Sequence, residues 1–248
     1  MDFYNYFKIY KKELKVDLEK EYQKLFKKGE IDFNYLIEAS AVYSSNIEGN
    51  SMDLNSFMNS KGLKVKQRPK EFVEITDLVK AYNFSQKYKL TESNFLKAHK
   101  ILSKTFLVES RQGVYREEKV GVFDSGGLVY LAVEPENVKK AMKDFFQMIN
   151  DLFKKEMTTK EVFFWASIIH LRLAHIHSFS DGNGRIARLA EKWFLASKLD
   201  GRAWGIQSEK YYKENLNQYY KKINLGVNYY ELNYDKCIPF LLMLPKAF

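Results

Sequence analysis

Proline is scarce in this chain, with four in 248 residues. A proline removes a backbone donor and clashes with the preceding turn, so its rarity leaves room for long unbroken helices. Apolar residues use that room. Over 2–28 they recur at helical spacing, at Tyr6, Ile9, Tyr10, Leu14, Leu18, Tyr22, Leu25 and Phe26, and Gly29 supplies the stop. Asp32 is placed to cap a second helix running through Tyr43 or a little beyond. Further helices are predicted over 57–62, 70–87, from the Thr91 cap onward, 136–153, 159–174, 186–199, 211–224 and 234–244. One stretch differs. Residues 111–135 are rich in Val, Phe, Leu and Tyr, and Asp124-Ser125-Gly126-Gly127 divides them, which signals a β-hairpin. The reading is an all-α fold in a single domain, 1–248, a helical bundle with one small β-hairpin.

Composition narrows the class. Apolar residues make up 46%, enough for a substantial core. The net charge is +9, but the lysines near the start alternate with Glu13, Glu19 and Glu21, the pattern of a solvated helix face. No zinc-finger spacing or aromatic RNA-binding motif turns that charge into a nucleic-acid footprint. A positive field also suits a polyanion such as ATP or an acidic protein partner. Cys237 is the single cysteine, so no intrachain disulfide forms and a cytoplasmic location is expected. The first residues lack the basic-then-apolar pattern of a secretory signal, and no apolar run is long enough to span a membrane.

The chemistry concentrates in His177-Ser178-Phe179-Ser180-Asp181-Gly182-Asn183-Gly184-Arg185-Ile186-Ala187-Arg188, between two predicted helices. Gly182 and Gly184 let the backbone turn and approach a ligand, and the amides that follow form a helix N-terminus, a natural anion site. Arg185 and Arg188 share one helix face and can hold two phosphates of one polyphosphate. Asp181 is a hard oxygen ligand suited to Mg²⁺ bridging phosphates. His177 has the right basicity to take a proton from a hydroxyl. Together these describe phosphoryl or nucleotidyl transfer. A glycine-rich helix cap with surface arginines leaves His177 unexplained. A zinc or iron site from His175, His177 and Asp181 is opposed by the arginines. A Walker loop is excluded, because no Gly-Lys-[Ser/Thr] is present.

The stretch resembles the Fic motif, His-x-Phe-x-Asp-Gly-Asn-Gly-Arg-x-x-Arg, at every fixed position. Ser178 stands where the family often has proline, which implies a slightly less rigid loop. The resemblance extends over roughly residues 35–225. It implies an adenylyltransferase that moves AMP from ATP to a Ser, Thr or Tyr hydroxyl of a target protein, and also of itself. His177 is then the base and Asp181 the Mg²⁺ ligand. Gly182, Asn183, Gly184 and Arg185 hold the α- and β-phosphates, and Arg188 the γ-phosphate. Related Doc-type proteins carry lysine at the position of Gly184 and phosphorylate instead, so Gly184 points to AMP. The resemblance also admits AMP removal from a modified protein, transfer of other groups such as UMP or phosphocholine, and a catalytically quiet interaction protein. A homo-oligomer is left open.

A second segment, Ser44-Ser45-Asn46-Ile47-Glu48-Gly49, ends the second predicted helix. A carboxylate there opposes the helix dipole, so Glu48 wants a cation. The segment resembles the Fic inhibitory motif, [Ser/Thr]-x-x-x-Glu-[Gly/Asn], which implies that Ser44 and Glu48, on an inhibitory helix over about 32–50, restrain Arg188 within the same chain. The hairpin, about 113–135, resembles the family's flap, whose free edge can bind a target segment. The catalytic loop and its helix fall in 177–199. Tyr211 and Tyr212 are candidates to flank adenine, and His99 and His170 read as core histidines.

Overall fold

Two antiparallel helices make the centre of the molecule, α8 (Thr159–Ile176) and α9 (Asn183–Lys198). Thr158 and Glu161 form a reciprocal capping box that starts α8. Val162, Phe163, Phe164, Ile168, Ile169 and Leu171 are all fully buried, so α8 is apolar nearly all round, as a core helix must be. On α9, Ile186, Leu189, Trp193 and Phe194 give the apolar stripe, yet Arg188, Glu191 and Lys192 are buried beside them. Burying those charges is tolerable because each is paired: Lys192 Nζ lies 2.6 Å from Glu209, and His170 lies 2.9 Å from Glu191. The computed structural model describes residues 3–24, 32–63, 67–124 and 126–248.

Around this pair stand α3 (Phe33–Ile47), α5 (Lys70–Lys87), α6 (Glu92–Leu102) and α7 (Pro135–Phe153). Asp32 caps α3 by accepting the Tyr35 amide at 3.1 Å, and Thr91 caps α6 through Asn94. Between α3 and α5, Asp53 caps the short α4 (Leu54–Lys61). α3 packs against α5, α9 and α10 (Ser208–Glu214), which brings its C-terminal end over the start of α9. The hairpin forms as expected: β1 (Gly121–Asp124) pairs antiparallel with β2 (Gly127–Leu131), with a bulge between Val122 and Phe123. Among the described residues no helix is long and apolar enough to cross a membrane. The fold is therefore the all-α bundle with one small hairpin that the sequence predicts.

Three predicted helices are divided. The first is two, α1 (Tyr4–Glu13) and α2 (Leu18–Lys24), because Leu14 turns extended and Asp17 accepts the Lys20 amide as a new N-cap. Leu25, Phe26 and Gly29 lie outside the described residues. The predicted 211–224 helix divides at Asn215, whose side chain donates to the Tyr211 carbonyl, giving α10 and α11 (Leu216–Ile223). The predicted 234–244 helix shrinks to a 3₁₀ turn and α12 (Ile238–Leu241).

Candidate active site

The six residues between α8 and α9 are held by their own side chains. His177 ends α8 in the left-handed region, φ 52°, the only non-glycine with positive φ among the described residues. Gly182 starts α9 at φ 82°, and a Cβ there would come within 3.2 Å of His99, Leu102 and Phe106, so the turn needs glycine. Phe179 is fully buried and stacks on His99, centroids 3.5 Å apart. Asn183 clasps the same residue, accepting from the Phe179 amide at 2.9 Å and donating to its carbonyl at 2.8 Å. His99 Nδ1 accepts from Gly113, so its Nε2–H donates to the Asp181 carbonyl at 2.9 Å. Burial lowers the His99 pKa to about 4, which keeps it neutral for both bonds. These contacts fix the loop without a proline at Ser178.

His177 Nδ1 donates to the Ala174 carbonyl at 3.1 Å, which leaves Nε2 as the acceptor. Burial above all lowers the pKa of His177 below its ordinary 6.5, so the ring is a neutral base. Asp181 is half-exposed and its carboxylate receives Arg185 at 3.1 Å. The Arg185 guanidinium also lies 3.8 Å over the Phe106 ring, and its buried Nε has no hydrogen-bond partner among the described residues. Arg188 is fully buried. It donates to Ser44 Oγ at 2.9 Å, to the Ser44 carbonyl at 3.0 Å, to Tyr219 at 3.2 Å and to Glu48 Oε1 at 2.7 Å. Burial works against its charge, but Tyr219 and Glu48 outweigh burial and hold it protonated. Burial likewise opposes ionised Glu48, and Arg188 more than offsets this, so the Glu48 pKa falls. Gly184 completes the seat: a Cβ there would stand 2.2 Å from Glu48 Oε1.

A cavity of about 480 Å³ opens onto these groups, in the size range of small-molecule sites. His177, Gly184 and Glu48 line one side, Val122, Phe123, Val129 and Tyr130 of the hairpin another, and Tyr219, Tyr220 and Asn224 a third. His177 and Gly184 thus share a cavity with Glu48, and Glu48 and Ser44 bind Arg188, 140 residues from Glu48 in sequence; Arg185 pairs instead with Asp181, and neither is among the residues that line the cavity. Two expectations change. Tyr212 cannot flank a base in this cavity, since it is 1% exposed and its hydroxyl is spent on Glu191, and Tyr211 is not among the lining residues; besides Tyr130 of the hairpin, the tyrosines there are Tyr219 and Tyr220 of α11. The Asn183 side chain is committed to the loop, which leaves only its backbone amide to meet an anion. His175 turns away from the loop and bonds the Ile223 carbonyl, and no cluster of three metal-ligating side chains exists among the described residues.

Three site residues carry no local sequence signal: His99, Tyr219 and Arg116. The hydroxyl of Tyr219 accepts from Arg188 and donates to His170 Nε2 at 3.0 Å, while His170 Nδ1–H donates to Glu191 at 2.9 Å. His170 is a core histidine, as expected, but one that braces Arg188 from behind.

Comparison with known proteins agrees with this architecture. Residues 89–195 match the Fic/DOC family. It is 29% identical over 160 residues to a protein adenylyltransferase Fic of Nematostella vectensis, covering 60% of this chain and 35% of that protein. The chain thus spans about a third of the curated relative it matches. A Fic family protein from Desulfovibrio desulfuricans G20 has the same fold, with TM-score 0.74 at 22% identity over 93% of this chain and 70% of that one. Fic-1 from C. elegans superposes with TM-score 0.70 at 20% identity, over 96% and 69% of the two chains.

Proposed function

We propose that this chain is an adenylyltransferase that moves AMP from ATP to a Ser, Thr or Tyr hydroxyl of a protein, itself included, and restrains itself through Glu48. One observation carries the reading: a neutral His177 and Gly184 of a helix N-terminus line one cavity with the hairpin and with Glu48, the carboxylate that pairs with Arg188. The acceptor oxygen attacks the α-phosphorus as its proton passes to His177 Nε2. The bond from that phosphorus to the bridging oxygen breaks, and pyrophosphate leaves. The amides at 182–185 and Arg185 steady the α- and β-phosphates, and Arg188, once free, the γ-phosphate. Holding the phosphates and acceptor in line is most of the catalysis in such transfers.

A lone carboxylate fits Mg²⁺ only together with phosphate oxygens, which is how proteins commonly hold this ion. Asp181 is such a carboxylate, half-exposed at the anion site. Mg²⁺ held there would neutralise charge on the polyphosphate. Asp181→Ala is therefore expected to raise the Mg²⁺ or Mn²⁺ concentration needed for half-maximal AMP incorporation steeply. The check is incorporation of α-labelled ATP across a metal titration in wild type and variant. Full incorporation in excess EDTA would overturn the reading.

A further inference from the structure

Arg116 lies between α6 and β1 and is 3% exposed, yet its guanidinium meets no carboxylate among the described residues. It is spent on main-chain carbonyls. Nε donates to His177 O at 2.7 Å, Nη1 to Glu118 O at 2.8 Å, and Nη2 to Val133 O at 2.5 Å and Ile176 O at 3.5 Å. Its own amide donates to Ser178 O at 3.0 Å. Glu118 and Val133 are the two feet of the hairpin. Ile176, His177 and Ser178 are the end of α8 and the head of the catalytic loop. The last carbonyls of a helix lack partners within it, and a guanidinium offers a fixed fork of donors that a lysine lacks. The bond to His177 O also holds the residue whose backbone sits at positive φ.

We propose that Arg116 is a positioning residue that keeps the hairpin and the catalytic base in register, an inference that rests on the AMP-transfer reading. The acceptor hydroxyl arrives along the hairpin, and the base that takes its proton stands on the loop. These two must meet within a fraction of an ångström, and Arg116 bonds both. Nothing in its contacts touches the phosphate-binding groups. The hairpin has other ties, from Tyr130 Oη to the His175 carbonyl at 2.6 Å and from the Leu131 amide to Val227 O at 2.9 Å. Loss of Arg116 therefore shifts the hairpin without releasing it.

The test uses Arg116→Met and Arg116→Lys in a Glu48→Gly background, with α-labelled ATP and Mg²⁺. The expected result is a fall in kcat for AMP incorporation of about 10–100-fold in Arg116→Met, the scale of a 1 Å misplacement. KM for ATP stays within twofold and Arg116→Lys recovers only part of the loss. Rates within twofold of the parent, or a loss of rate matched by equal losses in ATP affinity and melting temperature, would overturn the proposal. Absence of label in the Glu48→Gly parent itself would instead overturn AMP transfer. Amide hydrogen exchange then decides on Arg116 without any activity. Faster exchange in both 120–133 and 177–182, and not elsewhere, supports the clamp; a change in one segment alone rejects it.

Discussion

Replacing His177 by alanine should abolish AMP transfer while leaving the fold and ATP binding nearly intact. The imidazole is held by one hydrogen bond to the Ala174 carbonyl, so its removal costs the structure little. The loop keeps its other ties, through Phe179, Asn183 and His99. What is lost is the neutral Nε2 at the cavity. General-base catalysis accounts for roughly 10²–10⁴-fold in rate, and misplacement of the acceptor deepens the loss. Because burial depresses the His177 pKa below 6.5, the base form persists in mildly acidic solution. The rate of an active variant should hold as pH falls through 6.5 and decline only below that. Purified His177→Ala that still incorporates AMP at near wild-type rate would remove the histidine from the base role. An acid limb above 6.5 would contradict its neutral state.

The site was legible in proportion to how local its contacts are. The loop from His177 to Arg188 is contiguous, so the candidates for base, metal ligand, anion site and phosphate-holding arginines follow from their order. The α5 boundaries, Lys70–Lys87, followed from the Pro69 break. The α1–α2 break did not, because Asp17 sits among alternating charges that look like a solvated face, yet caps a helix. Glu48 announced its need for a cation by its place at a helix end, but only the family resemblance linked it to Arg188. Arg116, His99 and Tyr219 were invisible for a common reason. Apart from the Glu118 carbonyl beside Arg116, their partners are main-chain groups or side chains 14 to 82 residues away in sequence, and such contacts leave no spacing to read.

Glu48→Gly should raise self-modification by at least an order of magnitude. The Arg188 guanidinium is held by Ser44, Tyr219 and Glu48, and among the described residues Glu48 is its one anionic partner and lines the cavity. Ser44 and Tyr219 hold the arginine in place whether or not Glu48 is there, so removing the carboxylate frees donors without letting the side chain collapse. A γ-phosphate can then take the vacated position, which fixes the triphosphate with its α-phosphorus toward the acceptor. The pair is buried on the arginine side and 28% exposed on the glutamate side. Water thus compensates part of its loss, and the melting temperature should fall less than for a fully buried pair, whose disruption costs about 3–5 kcal/mol. A methyl at Gly184 would stand 2.2 Å from Glu48 Oε1 and 3.0 Å from Arg188 Nη1, so Gly184→Ala disturbs the pair and the proposed phosphate seat together and does not replace Glu48→Gly. Arg188→Ala should be inactive, and adding Glu48→Gly to it should restore nothing, since the group to be released is gone. Label incorporation from α-labelled ATP in wild type, the singles and the double provides the cycle. Equal rates in wild type and Glu48→Gly would end the inhibitory role of Glu48. An active double variant would mean that Glu48 acts on something other than Arg188, and the nearest alternative is then His177, whose pKa its charge raises.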